Sequence, residues 1–232
     1  MDDSEIINLD SLESIHWWYL NRKDILSDWL AKMPPNSKIL DLGSASGGNT
    51  VFMRALGFDV TSVELTDVGI SIQELKGLSP IKADARELPF SNMSFDMVVC
   101  LDVIEHIREH EVVLNEIHRI TRVGGHILLS VPEDPTLWSD HDRAVNHVRR
   151  YKSFQLREVV EGGGFQVSRL FSTNFVMKPW IRLRRRKTLG SSLTKPTRFE
   201  NWAMRLVGKI EKRLLFLKIP GVTLWIEAKK IG

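Results

Sequence analysis

Residues 39–50 read ILDLGSASGGNT: an apolar run, then small residues typical of a tight turn, then the start of a helical pattern. The run Lys38–Leu42 predicts a buried strand, and Gly48–Leu56 predicts a helix. Gly43 and Gly47 let the backbone approach a ligand that a side chain would exclude. Because a helix start offers free N–H groups and the positive end of its dipole, this turn is predicted to bind a nucleotide-like ligand.

Strand and helix patterns alternate from Lys38 to about Val167, which predicts a parallel sheet covered on both faces. Further strands are predicted at Asp59–Leu65, Pro80–Ala83, Phe95–Leu101, Gly125–Val131, Phe165–Phe171 and Val222–Ala228. Further helices are predicted at Val68–Lys76, Glu111–Thr121 and Ser153–Glu161.

The chain is predicted to be one domain, 1–232, with segments added to this core. Its parts are an N-terminal helical cap (1–36), the cofactor-binding core (37–173), a basic helical insertion (174–220) and the last strand (221–232). The cap contains an aromatic patch, His16-Trp17-Trp18-Tyr19, and an amphipathic helix, Asn21–Met33, which Pro34-Pro35 ends. The insertion contains the basic run Arg182–Lys187 and a basic amphipathic helix, Phe199–Leu217.

The composition indicates an ordinary soluble globular protein, with 43% hydrophobic and 26% charged residues among 232. Its single cysteine, Cys100, lies in an apolar run, so we expect a buried thiol rather than a nucleophile or a disulfide. The acidic start is unlike a signal peptide, and no apolar run approaches the ~20 residues that span a bilayer. A cytoplasmic protein is the expectation.

Charge is distributed unevenly along the chain. Residues 175–232 contain 15 Lys+Arg against 3 Asp+Glu, whereas the rest contain 17 against 26. On the predicted helix Phe199–Leu217, cations flank an apolar stripe formed by Ala203, Leu206, Val207, Ile210, Leu214 and Leu217. Such a helix can bind an anionic membrane surface, which would place the protein peripherally at the inner face of the membrane. The alternative is that the helix packs against the sheet as a lid.

Acidic residues after the next two strands narrow the choice of ligand. The spacing GxAxxG alone also fits a degraded dinucleotide fingerprint. Glu64, 21 residues after Gly43, can bind a ribose diol of NAD or of any adenosine ligand. Asp84, after the third strand, can hold an adenine amino group. A dinucleotide-binding domain has no need of the following block, Leu88–Val99, or of the run Leu101–His106.

These segments resemble the class I S-adenosylmethionine-dependent methyltransferases, in particular the type 11-like group that includes quinone-biosynthesis enzymes. The motifs run from about Lys38 to Pro132, with a looser likeness to Phe171. The resemblance implies an α/β, Rossmann-like, doubly wound sheet of seven strands, mostly parallel with an antiparallel last strand, and a helical insertion before that strand. It implies S-adenosyl-L-methionine as cofactor, bound by Asp41, Gly43, Ser44, Ala45, Gly47, Glu64, Asp84, Ala85, Leu101, Asp102 and Val103. Ala45 stands where the family usually has a glycine.

The loop 140–151, after the fifth strand, holds the candidates for the transfer chemistry. Aligning donor and acceptor can lower the activation barrier by roughly 7–11 kcal/mol. A hydroxyl acceptor also needs a base that removes its proton. The catalytic candidates are His147, His141 and Tyr151, and the substrate-binding candidates are Arg149, Arg150, His106 and Trp18. A similar His-x-Arg-x-Tyr run follows the fifth strand in related methyltransferases. The alternative is a loop held together by salt bridges.

Two further interpretations concern a metal site in this loop and the aromatic patch of the cap. Asp140, His141, Asp142 and His147 are all metal-ligand types, but the carboxylate pattern of catechol-type enzymes is not evident, so no metal is expected. The aromatic patch could form a lid over the cofactor, or it could pack the first helix onto the sheet.

Together these features predict S-adenosylmethionine-dependent methyl transfer, as O-methylation, to a small or lipid-linked acceptor such as a quinone, polyprenyl or glycolipid intermediate. Nucleic acid is not expected as a partner, because the chain has Leu101-Asp102-Val103-Ile104 where amino-methylating enzymes of that class carry Asn/Asp-Pro-Pro-aromatic. The alternatives are an NAD(P)-binding oxidoreductase and a non-catalytic cofactor-binding protein associated with a membrane.

Overall fold

The computed structural model describes residues 3–187 and 194–232, with residues 185–187 described in their backbone only. The strands are β1 Lys38–Leu42, β2 Asp59–Glu64, β3 Ile81–Lys82, β4 Phe95–Leu101, β5 Thr121–Pro132, β6 Phe165–Thr173 and β7 Thr223–Lys230. The helices are α1 Asp3–Leu12, α2 Trp17–Leu30, α3 Gly48–Ala55, α4 Asp67–Leu75, α5 His110–Ile120, α6 Asp140–Ala144, α7 Ser153–Gly162, α8 Lys178–Lys187 and α9 Arg198–Arg213. Within these ranges, no helix combines the length and the apolarity needed to cross a membrane.

The seven strands form one sheet in the order β3-β2-β1-β4-β5-β7-β6. All pairs are parallel except those of β7, which runs antiparallel to both β5 and β6. The predicted fold class is therefore confirmed. Since β2 and β3 lie on one side of β1 and β4 on the other, the chain reverses its direction of sheet growth between β1 and β4. Sheets of this kind bind ligands at the carboxyl ends of the strands beside that reversal.

Both faces of the central strands are buried, as parallel sheets require. On one face, Leu40 of β1 packs with a cluster that includes residues of α5 and α7. On the other face, the neighbouring Ile39 packs with Trp29 of α2 and Trp225 of β7. Residues of β1 therefore alternate between two cores, which fixes the strand end that carries the glycine turn.

The N-terminal region differs from its prediction. Helix α2 begins at Trp17 rather than Asn21, so the aromatic patch forms its first turn. His16 caps this helix, because its Nδ1 accepts a hydrogen bond of 3.1 Å from the backbone N–H of Trp18. Helix α1 was not predicted, and its short sequence has a weak apolar periodicity.

The insertion packs against the N-terminal cap. Gly208 of α9 lies so close to Asn21 of α2 that a Cβ atom there would be 2.2 Å from the Asn21 Nδ2. Arg205 and Lys212 pair with acids of α2, Asp24 at 2.8 Å and Asp28 at 2.6 Å respectively. Helix α9 is thus held on α2 by close packing of Gly208 against the Asn21 side chain and by two ion pairs. The predicted basic run 182–187 falls in α8, and the side chains of 185–187 lie outside the described set.

Candidate active site

Two cavities meet at the carboxyl ends of β1 and β4. The first, which we call the outer cleft, has a volume of about 490 Å³ and lies between the ends of β1, β2, β3 and β4. The second, the inner pocket, has a volume of about 160 Å³ and lies beneath α2 and α8. Both are lined by Gly43, Ala45, Asp102 and His106. The outer cleft is in the range typical of small-molecule sites, and a ligand in it would reach the inner pocket.

The turn after β1 forms the shared wall. Gly43 has φ +71°, and a Cβ atom on it would lie 2.4 Å from Cγ2 of Val103. The N–H groups of Gly43 and Ser44 both donate to the carbonyl of Val63, at 2.9 and 3.0 Å. This turn is therefore fixed against β2, and position 43 has no room for a side chain.

Ala45 adopts a left-handed conformation, with φ +47°. This costs an L-residue other than glycine roughly 1–2 kcal/mol, which explains why glycine is usual here in the family. Two hydrogen bonds hold the residue in place: its N–H donates to Oε2 of Glu64, and its carbonyl accepts from Nε2 of Gln73, each at 2.8 Å. The alanine thus keeps the backbone shape of the glycine turn.

The predicted cofactor-binding residues fall into two groups. Those lining the outer cleft are Gly43, Ala45, Glu64, Asp84, Ala85, Asp102 and Val103, and Leu101 lines the inner pocket. Asp41, Ser44 and Gly47 lie behind the turn and support it. Asp41 accepts a hydrogen bond of 2.6 Å from Thr50, and burial raises its pKa to about 6. Gly47 begins α3 at φ +83°, packed against Gln73.

Glu64 already accepts three hydrogen bonds within the protein. They come from the N–H of Ala45 (2.8 Å) and from the N–H and hydroxyl of Thr66 (2.9 and 2.7 Å). A carboxylate offers about four acceptor positions, so one remains for a ribose hydroxyl. Glu64 therefore shapes the glycine turn as well as facing the cleft.

Asp84 forms a bidentate pair with Arg86. Its Oδ2 lies 2.7 Å from Nη2, and its Oδ1 accepts from Nε at 3.0 Å. The hydrogen bonds from Arg86 lower the pKa of Asp84, so this carboxylate stays ionised. Both residues line the outer cleft, where Asp84 keeps acceptor capacity for an adenine amino group.

Asp102 connects α2 to the cleft. It directly follows β4 in a left-handed conformation, φ +55°, and its Oδ2 accepts a hydrogen bond of 2.9 Å from Arg22 of α2. Its Oδ1 accepts from the hydroxyl of Ser130 at 2.7 Å. The contacts of Asp102 with Arg22 and Ser130 were not predicted, because these residues lie 80 and 28 positions from it in the chain.

A buried carboxylate orients His147 in the inner pocket. The Nδ1 of His147 lies 2.9 Å from Oδ1 of Asp142, which is fully buried. The same carboxylate accepts from Nε of Arg150 at 2.8 Å and from the N–H of Ser139 at 2.9 Å. Asp142 thereby fixes the ring, and the other ring nitrogen, Nε2, lies 3.7 Å from Oε1 of Glu105.

Several buried polar atoms on the wall of the inner pocket lack a hydrogen-bond partner among the described residues: both carboxylate oxygens of Glu105, Nε1 of Trp17 and Nη2 of Arg150. Glu105 is 0% exposed, and burial, together with the nearby Asp102 carboxylate, raises its pKa well above the ordinary value. Unpaired buried polar groups are costly, so this pocket is shaped for a polar ligand. The sequence signal for Glu105 was its place in the run after β4, next to His106.

The remaining predicted residues divide between the pocket and its surroundings. His141, His106, Arg150 and Trp18 line the inner pocket. Tyr151 does not: its hydroxyl lies 2.7 Å from Nδ1 of His110, and its ring is in the core. Residue 151 pairs with Glu133 in a short parallel bridge, so consecutive side chains point to opposite faces, Arg150 to the pocket and Tyr151 to the core.

Arg149, the other predicted acceptor contact, lies outside both cavities. Its Nη2 donates to the carbonyl of Arg108 at 2.7 Å. A catalytic role for Tyr151 and a substrate contact for Arg149 are therefore not supported by their positions. The aromatic patch lies elsewhere than either predicted role requires: Trp17 packs with Ile181 of α8, and Trp17 and Trp18 line the inner pocket but not the outer cleft.

Comparison with known proteins identifies the family. Residues 8–170 match the family model of a methyltransferase domain. The ubiquinone biosynthesis O-methyltransferase of Pseudomonas aeruginosa is 29% identical over 100 residues, covering 40% of this chain and 43% of that protein. A demethylmenaquinone methyltransferase of a Mycobacterium species is 28% identical over 102 residues, covering 44% of each. The chain thus spans less than half the length of either curated relative.

A solved structure shares the fold of the described residues. Phosphoethanolamine N-methyltransferase 2 of Haemonchus contortus, crystallised with S-adenosyl-L-methionine, has a TM-score of 0.68 at 19% identity, covering 100% of this chain and 58% of that one. The family match covers well over half of the chain, and the glycine turn, Glu64 and Asp84 lie around one cleft as the resemblance implies. This chain belongs to the methyltransferase-domain family of the class I S-adenosylmethionine-dependent methyltransferases.

Proposed function

We propose that this protein transfers a methyl group from S-adenosylmethionine, bound in the outer cleft, to a small acceptor bound in the inner pocket. The observation that carries the proposal is the junction of the two cavities at Gly43, Ala45, Asp102 and His106. A sulfonium donor is already activated, so the main task of the protein is to align the acceptor with it. Two cavities that meet at the glycine turn provide that alignment.

The inner pocket favours an acceptor with both a ring and polar groups. Trp17 and Trp18 contribute aromatic surface, while Arg150 and Glu105 contribute polar atoms without protein partners among the described residues. His147, held by Asp142, is the group that we assign to activation of an acceptor hydroxyl. The names of both curated relatives refer to quinones, which supports an aromatic acceptor of this class, and the name of the ubiquinone biosynthesis O-methyltransferase supports O-methylation.

Turnover with an acceptor panel tests this proposal. We expect transfer of isotope-labelled methyl to hydroxylated aromatic acceptors, faster when they carry a polyprenyl chain, with mass spectrometry locating the methyl on oxygen. Amine acceptors and nucleic acids serve as the comparison. A protein that binds the cofactor but methylates no member of the panel would favour the non-catalytic alternative.

We further propose that the exposed face of α9 binds an anionic membrane surface, from which a lipid-linked acceptor would enter. This face, which we call the α9 apolar face, consists of Phe199, Trp202, Leu206 and Ile210, with Phe199 76% and Trp202 63% exposed. Lys209 and Arg213 are exposed on the same helix. The stripe differs from the predicted one, because Val207 packs towards the protein.

The cations of α9 serve two purposes. Arg205 and Lys212, two of the cations that flank the predicted apolar stripe, are paired with acids of α2, so fewer cations remain for a membrane than the sequence indicates. The helix is linked to the inner pocket through α8, whose Arg184 lies 3.1 Å from Glu200 and whose Trp180 lines the pocket. A membrane-bound α9 would therefore hold the pocket close to the lipid surface.

Vesicle flotation tests the membrane contact. We expect the protein to float with phosphatidylglycerol vesicles at low salt, and the binding to weaken with salt without vanishing, because each exposed cation contributes about 1 kcal/mol and apolar burial adds to it. Trp202→Ser should reduce flotation. Leu75→Ser, at an 89% exposed leucine of α4, is the matched control and should not. No flotation of the wild type at low salt would refute the contact.

A further inference from the structure

We propose that Glu105, His106 and His147 bind a divalent transition-metal ion in the inner pocket. One ligand atom from each of the three residues lies within 4.8 Å of the others. All three residues line the inner pocket, and none of them is exposed. The proposal differs from the sequence-based expectation of a site without metal, and it uses a set of residues that the sequence did not group.

The two histidines are held as metal ligands usually are. The Nδ1 of His147 lies 2.9 Å from the Asp142 carboxylate, and the Nδ1 of His106 lies 3.2 Å from the backbone carbonyl of Asn146. A proton on each Nδ1 satisfies these acceptors and leaves Nε2 as the nitrogen with a free lone pair. Ligating histidines typically donate their second N–H to a carboxylate or a carbonyl in this way, which fixes the ring and its tautomer.

Glu105, the third residue of the site, explains why a cation should bind there. Glu105 is completely buried, and neither of its oxygens has a hydrogen-bond partner among the described residues. Its backbone carbonyl accepts from the N–H of Val148, which brings the segment carrying His147 next to it. Arg150 donates from Nε to Asp142 and from Nη1 to the carbonyl of Glu133, and its Nη2 forms no hydrogen bond with Glu105. A bound ion would supply the counter-charge that Glu105 needs in order to be ionised in this buried position.

The donor set selects the class of ion. Two imidazoles and one carboxylate suit Zn²⁺, Fe²⁺, Co²⁺ and Mn²⁺, and three protein ligands leave coordination positions open to the pocket. The alternative set that the sequence offered, around Asp142, is less suited, because that carboxylate already contacts Ser139, His147 and Arg150. The structure therefore places the candidate ion on the Glu105 side of His147.

The role of the ion towards an acceptor rests on the proposed function, whereas its binding does not. A hydroxyl coordinated to a divalent ion loses its proton more readily, so the ion would take over activation of the acceptor and His147 would serve as its ligand. Methyl transfer would then depend on the ion. Binding of the ion is expected in the absence of both cofactor and acceptor.

Titration of the metal-stripped protein with Co²⁺ tests the site directly. We expect one ion per chain, visible as d–d absorption, and displacement by Zn²⁺ in equilibrium dialysis. Glu105→Gln and His106→Gln should each weaken binding by about 100-fold or more, and Asp142→Asn by ~10–100-fold as a loss of ligand orientation. His126→Gln, at a partly buried histidine that lines neither cavity, is the control and should bind like the wild type.

Circular dichroism and S-adenosylhomocysteine binding report whether each variant folds, and if Glu105→Gln does not, His106→Gln provides the test. Absence of Co²⁺ and Zn²⁺ binding by the wild type, or binding by Glu105→Gln and His106→Gln as tight as that of the wild type, would overturn the site. Metal binding without methyl transfer would refute the proposed function and leave the site intact. Full methyl transfer in the presence of a chelator, by a protein that binds no metal, would refute the metal site and leave the proposed function intact.

Discussion

Replacing Gly43 with Ala is expected to weaken the binding of S-adenosylhomocysteine by about 100-fold, or ~2.7 kcal/mol, while the protein stays folded. The added Cβ atom would lie 2.4 Å from Cγ2 of Val103, and both residues line the outer cleft. To relieve this contact, either the turn after β1 or the Val103 side chain must shift within the cleft. Isothermal titration calorimetry of the variant measures the loss.

Gly77→Ala separates this effect from backbone strain. Gly77 has nearly the same φ, +74° against +71° for Gly43, but a Cβ atom there meets no described atom within 4 Å. Both variants should lose roughly 1 kcal/mol of folding stability from the left-handed conformation, and only Gly43→Ala should lose the cofactor. Equal cofactor affinities in the two variants would mean that the cleft is not the cofactor site.

Replacing His147 with Ala is expected to lower the rate of methyl transfer by ~10²–10⁴ with cofactor affinity retained. His147 lines the inner pocket but not the outer cleft, and Asp142 fixes its ring for action on the acceptor. The loss is expected whether the imidazole takes the proton itself or holds an ion that promotes its release. Single-turnover kinetics on a true acceptor measures the rate without interference from product release.

His118→Ala is the matched control for this variant. His118 is another partly buried histidine, but its ring packs on Phe165, 5.3 Å between centroids, and it lines neither cavity. Its removal should leave the transfer rate unchanged. A His147→Ala variant with the wild-type rate would show that alignment of donor and acceptor suffices for the reaction.

The parts of the fold that depend on local sequence were predictable. β1 and β4 have their predicted bounds, since each is an apolar run ended by a turn signal. β5 begins at Thr121 rather than at the predicted Gly125, so the strand extends four residues, 121–124, beyond its contiguous apolar run. Helix α1 was not predicted, because it contains few apolar residues with helical spacing.

The parts of the site that depend on distant contacts were not predictable. The Asp102–Arg22 ion pair joins residues 80 positions apart in the chain, and no local sequence pattern predicts it. The faces of Arg150 and Tyr151 follow from a bridge to Glu133, which only the folded chain reveals. Glu105 was not a predicted site residue. Its significance is its complete burial without a hydrogen-bond partner for its carboxylate among the described residues, which is a property of packing and not of composition.

The measurement that tests the central proposal most directly is a calorimetric titration of the wild-type protein with S-adenosylhomocysteine and, separately, with NAD. We expect one binding site for S-adenosylhomocysteine with micromolar affinity, about −8 kcal/mol, and no heat of binding with NAD. The expectation rests on Gly43, Glu64 and Asp84 lining one cleft that opens into a second pocket. Tight binding of NAD, with none of S-adenosylhomocysteine, would contradict it.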